Sequence, residues 1–302
     1  MNNTERRGYL YALAAVLIWS GFILVSRLGG ISPLLSYDVI AIRYFTCAAI
    51  LLPVWWFKFR FNLLNIKLVI VSLIGGLGYA LCAFNGFEQA PASHAAVLLP
   101  GLMPLFIIIL SSFMNNEKYQ LEKWMGVGLI SLGVGSLLWQ RLTGQDAISA
   151  GHLYLIAAAL CWAIFSVLIK RWDISPWQAT VSLALITCVI YLPVYFLWLP
   201  KNLSMLSLPE LGEDILLQAF YQGVLATIVQ MLFYVRAVQT IGPATVGSLM
   251  ALVPLVAGFS AIFLFGEELS VNLVIGLVLV SAGAVLSHSN IFQSRRKETC
   301  PT

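Results

Sequence analysis

Arg43 is the residue whose setting most constrains its chemistry. It lies about six residues inside an apolar run, 37–57, or roughly 9 Å deep at 1.5 Å per residue. A guanidinium at that depth is expensive to desolvate and needs a partner or a wet cavity. Two roles fit: recognition of a substrate carboxylate, or a structural ion pair with Asp38 or Glu88 near the same end. His94, which opens a later apolar run at that end, titrates near neutral pH in an ordinary setting. With Glu88 it is a candidate for proton coupling, and the plainer reading is a helix-end histidine satisfied by water.

Uncharged groups suited to holding a small solute lie deeper. Trp19 and Trp162 fall near the centres of their apolar runs, whereas tryptophan in membrane proteins concentrates at the interfaces. They suit stacking on a solute or packing between helices. Gly75, Tyr79, Cys82 and Gly86 share one helical face, so Tyr79 projects from a stripe of small residues. Gln218, Gln222, Gln230 and Tyr234 crowd another run. Gln222 and Gln230, nearer its middle, are candidates for amide contacts with substrate or with neighbouring helices. Pro100, Pro104 and Pro254 remove backbone hydrogen bonds within their runs. Pro104 and Pro254 are candidate hinges.

Catalytic chemistry is poorly served. The three histidines, His94, His152 and His288, are isolated along the chain, with no HExxH or HxxxH spacing. No acid stands at the centre of a run, and no phosphate-binding Gly-rich Lys motif occurs. Five cysteines form no CxxC pair. Neither a catalytic set nor a metal site is expected, and no cofactor. The formal charge of +4 comes from short dispersed clusters, not a nucleic-acid-binding patch.

The elements that must position these groups are helices in lipid. Of 302 residues, 60% are hydrophobic and 10% charged. Runs of about 20 apolar residues recur, each long enough to cross a hydrocarbon core of about 30 Å. They lack the alternation of a barrel strand. We read ten spans: 8–28, 37–57, 67–87, 93–113, 121–139, 151–171, 177–199, 215–236, 243–265 and 270–288. The first is too long for a cleavable signal and no cleavage site follows it. With ten spans, thirteen Lys and Arg residues fall on the side of the termini and three (Arg27, Arg141, Lys201) on the other. The positive-inside rule then places both termini in the cytoplasm.

The chain repeats itself. Displaced by 143 positions, Gly8, Leu10, Tyr11, Leu17 and Trp19 fall on Gly151, Leu153, Tyr154, Leu160 and Trp162, and Arg27 falls on Lys170. Displaced by 150, Gln89, Pro104, Phe113, Glu117, Gly126, Ser131 and Gly133 fall on Gln239, Pro254, Phe263, Glu267, Gly276, Ser281 and Gly283. Five spans is an odd number, so the second copy enters the membrane inverted. That architecture places a transported solute near the midplane between halves that rock. The expected fold is all-α and integral to the membrane, with repeats over 1–140 and 151–290 and a cytoplasmic tail over 291–302. Gly126 and Gly133, like Gly276 and Gly283, are seven apart and share a face suited to close helix packing.

In these features the chain resembles the drug/metabolite transporter superfamily in its ten-helix EamA-type branch. The resemblance rests on Trp19-Ser20 in the first span, Arg43-Tyr44-Phe45 in the second, and Pro104…Glu117 with Pro254…Glu267. The glycine-spaced fifth and tenth spans complete it. It covers essentially the whole chain and implies a carrier or exporter of amino acids, related metabolites or drugs, often in a bacterial inner membrane. By the same resemblance the glycine faces pack together, making one chain an internal dimer. Expected partners are a small-molecule substrate and membrane lipid, with no nucleic acid. The substrate is expected between spans one, three and four and their mates six, eight and nine. A zwitterionic or anionic solute, amino acids first, suits Arg43. Efflux of cationic compounds, and passive facilitation or exchange, are the alternatives.

Overall fold

The computed structural model describes residues 3–115, 119–143, 149–203, 208–250, 252–267 and 270–288. Glu117, the tail 291–302 and most of the junction between the repeats lie outside them. Ten helical rods follow: α1 Asn3–Ile31, α2 Ser36–Phe59, α3 Ile66–Gln89, α4 Ala92–Met114, α5 Leu121–Thr143, α6 Ala150–Arg171, α7 Pro176–Trp198, α8 Gly212–Ile241, α9 Pro243–Phe265 and α10 Val271–His288. Eight of them, all but α5 and α10, are long and apolar enough over described residues to cross a membrane. With α5 and α10 they form an all-α membrane fold of ten spans in two inverted halves.

Local chemistry starts and stops these rods. Ser175 accepts from the Gln178 N–H and Pro176 fills the first turn of α7, where a missing N–H does no harm. Gly242, at φ 83°, reverses the chain between α8 and α9 in one residue, a conformation that favours glycine. The spans are less regular than the apolar runs predict. Wide π-helical turns interrupt α3 at Leu73–Gly78, α8 at Ala219–Val229 and α9 at Pro254–Gly258. In α3 the wide turn holds Gly75, where a Cβ would clash with the Phe165 ring. The helix widens where bare backbone meets a neighbour.

The halves interlock by a pseudo-twofold rule. The N-terminal half of α1 packs on the end of α8, and the start of α6 packs on the end of α3. Gly8 and Gly151, repeat mates, make these contacts: Cβ atoms there would lie 2.7 Å from Ile241 and 2.9 Å from the Gln89 backbone. The basic mates act alike. Arg27 donates to the Phe87 and Glu88 carbonyls at the end of α3, and Lys170 donates to the Gln239 carbonyl at the end of α8. Each supplies positive charge where a helix presents unpaired carbonyls.

α5 and α10 pack along their length. A Cβ on Gly133 would sit 2.9 Å from the Gly276 carbonyl oxygen, and one on Gly283 2.5 Å from that of Gly126. Gly247 of α9 crosses α4 at Pro104 and Ile107. Pro104 is buried within a continuous α4, while Pro254 opens the wide turn of α9.

Candidate functional site

The centre of the molecule is a chain of rings joining the halves. The Trp19 and Trp162 ring centroids are 5.2 Å apart, so the repeat mates meet. Tyr79 stands 4.8 Å and Tyr234 5.3 Å from Trp162. Phe22, one turn along α1 from Trp19, stacks on it at 6.1 Å. The guanidinium of Arg43 lies 5.4 Å from the Phe22 ring and 5.7 Å from each of Tyr44 and Phe84. All these side chains are buried. The centre is closed, and α2 joins the helices that build it.

Arg43 has an unusual set of neighbours. Among the described residues no carboxylate pairs with it. Its one hydrogen-bond partner is Gln222, whose Oε1 accepts from Nη1 at a long 3.5 Å, and its Nε has none. Gln222 in turn donates to the Ser26 hydroxyl at 3.0 Å. The ion pair with Asp38 or Glu88 expected as one reading is therefore absent. Asp38, fully buried, accepts from the Tyr195 hydroxyl at 2.5 Å and from the Leu35 and Asn202 N–H groups. The reason is geometric: five residues along a helix turn a side chain by about 140°, so similar depth is not proximity. Rings around the guanidinium contribute about 0.5–2 kcal/mol each. They supply no counter-charge.

Further polar groups lack partners. The Tyr79 hydroxyl and both amide atoms of Gln230 are buried without a hydrogen bond among the described residues, while the Trp162 indole adjoins Tyr234. Such groups are rare in folded proteins, and each calls for a partner. Gln218, by contrast, is anchored through Nε2 to the Val25 carbonyl at 2.9 Å, although its Oε1 is unmet. Tyr234 shares a 2.6 Å hydrogen bond with Ser166. What the centre offers is one cation, amide groups, an indole N–H and a phenol against flat apolar faces. It offers no nucleophile paired with a base. This equipment suits the binding and orienting of a small solute.

His94 and His152 meet, although they are isolated in the sequence. Nδ1 of His94 is 3.1 Å from Nε2 of His152, joining the first turn of α4 to that of α6. His152 Nδ1 lies 2.7 Å from the Ser149 hydroxyl. No hydrogen bond joins His94 to the Glu88 carboxylate. Beside this junction, Glu267 at the end of α9 accepts from the Ala92 and Ser93 N–H groups at 2.7 and 2.9 Å. That cap ties the second half to the start of α4.

The sequence reading names Trp19, Arg43, Tyr79, Trp162, Gln222 and Gln230 as cavity residues. The structure gathers Trp19, Tyr79 and Trp162 into one aromatic cluster and joins Arg43 to Gln222. Gln230 begins the helical segment that carries Tyr234. Phe22, Ser26, Ser166 and Tyr234 belong to the same centre and are not among those six. Their signal was helical spacing: three and seven residues from Trp19, four from Trp162, and four from Gln230.

Two inverted five-helix halves that meet at a buried polar and aromatic centre have the architecture of a membrane transporter. Residues 6–139 and 149–288 each match the EamA-like transporter family, and the chain belongs to it. It is 27% identical over 302 residues to a probable amino-acid metabolite efflux pump of Escherichia coli K12, covering 96% of this chain and 97% of that protein. It is 29% identical over 238 residues to a protein of the same description from Salmonella typhimurium, covering 74% and 75%. The aromatic amino acid exporter YddG of Ancylobacter novellus matches at 28% over 132 residues, 42% of this chain and 46% of that one. A solved crystal structure superposes with a TM-score of 0.69 over 97% of this chain and 99% of its own, at 18% identity. That likeness concerns the fold alone.

Proposed function

We propose that the protein exports amino acids or related small metabolites across the cytoplasmic membrane of a bacterium by alternating access, with both termini in the cytoplasm. Arg43 carries this reading. It is 2% exposed, within a span, with one long hydrogen bond to a neutral amide and no carboxylate partner among the described residues. Placing an arginine in the bilayer core costs at least about 3 kcal/mol on insertion scales. A substrate carboxylate supplies the missing charge only while bound. The aromatic faces beside it suit an apolar or aromatic side chain, and the unmet atoms of Tyr79 and Gln230 suit the polar remainder. The names of the relatives in Escherichia coli and Salmonella typhimurium agree with this reading. The charge bias of the loops supports the orientation.

Efflux of cations is disfavoured because the centre presents a cation of its own. Uptake of radiolabelled neutral amino acids into proteoliposomes, with and without a pH gradient, tests the proposal. Saturable flux of amino acids but not of organic cations supports it, and the reverse selectivity overturns it. Dependence on the gradient distinguishes proton coupling, for which Glu88 and His94 remain the candidates, from facilitation or exchange.

A further inference from the structure

Apart from the polar centre, a cavity lies on the flank of the molecule. It encloses about 440 Å³ between α2, α7 and α8. Ala41 and Ala219 keep its interior open, and Phe45 and Phe196, 63% and 60% exposed, form its outer walls. Exposure of large aromatic rings at that level means the cavity opens to lipid and not to water. Of the residues lining it, only Thr46 and Tyr195 carry polar side-chain atoms, and the Tyr195 hydroxyl already donates to Asp38. A polar solute would find almost nothing to bind there. On α2 the lining runs from Ala41 to Thr46, about 7.5 Å, and its far end lies ten residues, about 15 Å, from Ser36 where α2 begins. That is half of a hydrocarbon core of about 30 Å, or one leaflet.

A cation marks the shallow end. Lys201 follows α7, donates to the Phe196 carbonyl at 2.6 Å, and lies 6.0 Å from the Tyr195 ring. No described carboxylate pairs with it, and two of its ammonium donors stay available. A lysine beside an apolar slot whose far end lies about one leaflet below the start of α2 matches an acyl chain joined to a phosphate. We propose that this groove is a specific phospholipid site, with one acyl chain between α2, α7 and α8 and an anionic headgroup on Lys201. Ala219 also opens the wide-turn segment Ala219–Val229 of α8. The lipid therefore packs against the stretch that carries Gln222.

The test uses the full chain in phosphatidylcholine nanodiscs doped with phosphatidylglycerol bearing a mid-chain diazirine. After irradiation, labelled peptides are mapped by mass spectrometry. The expected result is label concentrated severalfold on residues 41–46, 192–203 and 215–219 relative to other lipid-facing helices. Ala219→Leu, which fills the groove, should remove the excess. Lys201→Gln should lower labelling by phosphatidylglycerol to the level given by a phosphatidylcholine probe. Even labelling of all lipid-facing helices, or labelling by the two probes that Lys201→Gln leaves unequal, overturns the proposal. If Ala219→Leu fails to fold, the surface variant Lys201→Gln decides alone.

Discussion

Arg43 reaches from α2 to a single side chain of the other half, Gln222 of α8, at 3.5 Å, and Gln222 is held in place by Ser26 of α1. Two bonds through Gln222 thus join two helices of the first half to one of the second, at the level where substrate is proposed to bind. If the guanidinium receives a carboxylate, its loss should be felt in transport and not in folding. Arg43→Gln is expected to lower the apparent affinity about 10- to 100-fold, the worth of a charge-assisted hydrogen bond of about 1.5–3 kcal/mol. Its thermal midpoint in detergent should hold or rise, because a buried, uncompensated charge has been removed. Arg43→Lys should also transport poorly, since an ammonium lacks the planar fork. Proteoliposome kinetics and thermal melts on the same preparations check both halves. Loss of folded protein with Arg43→Gln would point to a structural role.

The glycines of α5 and α10 supply a test with an internal control. Cβ atoms at Gly133, Gly276 and Gly283 would lie 2.9, 3.1 and 2.5 Å from backbone carbonyl oxygens of the opposite helix, whereas Gly128 and Gly135 have nothing within 4 Å. Backbone cannot yield as a flexible side chain can. Gly133→Val and Gly283→Val are expected to cost about 1–3 kcal/mol, the range for overpacking. Gly128→Ala and Gly135→Ala should be neutral or slightly stabilising through helix propensity. Thermal melts of the four variants read the difference. Equal effects at all four positions would mean that α5 and α10 do not pack at this register.

Glu267 offers a test of the distal junction. Its carboxylate accepts from two N–H groups at the start of α4, satisfying donors that a helix cannot satisfy itself. Glu267→Ala is expected to cost about 0.5–2 kcal/mol, as for loss of an N-cap. Glu267→Gln keeps an acceptor but loses the charge, and should fall between. Hydrogen exchange at Ala92 and Ser93 should rise in both variants. Unchanged exchange there would remove the cap from the account.

The helices, their number and their inversion were legible because lipid imposes one length and one composition on every span. Trp19 and Trp162 were legible as mates because duplication preserved the register. What could not be read was rotation about each helix axis. Arg43 and Asp38 lie at similar depth but point apart, and Arg43 finds a glutamine 179 positions away. His94 and His152 meet only because α4 and α6 start side by side at one face. The wide turns of α3, α8 and α9 were hidden for the same reason: they lie against neighbours, such as Phe165 against Gly75, that no single span discloses.

Gln230 gives the sharpest separation of stability from function. It is 0% exposed, and both of its amide atoms lack a partner. Each unmet buried group costs about 1–3 kcal/mol, whereas an apolar side chain of the same shape costs nothing of the kind. In a protein selected for stability alone, such a residue would be a defect. Gln230→Met keeps the volume and removes the amide, so it is expected to raise the thermal midpoint while lowering transport severalfold. Gln230→Glu adds charge to the same unmet position and should be destabilising. Gln239→Met is a useful contrast, because Gln239 donates to the Ile174 carbonyl at 2.6 Å and its loss should only destabilise. Paired melts and flux assays separate the cases. A Gln230→Met variant that is both more stable and fully active would show that the amide serves no substrate, and the binding centre would then contract to Arg43, Gln222 and the aromatic cluster.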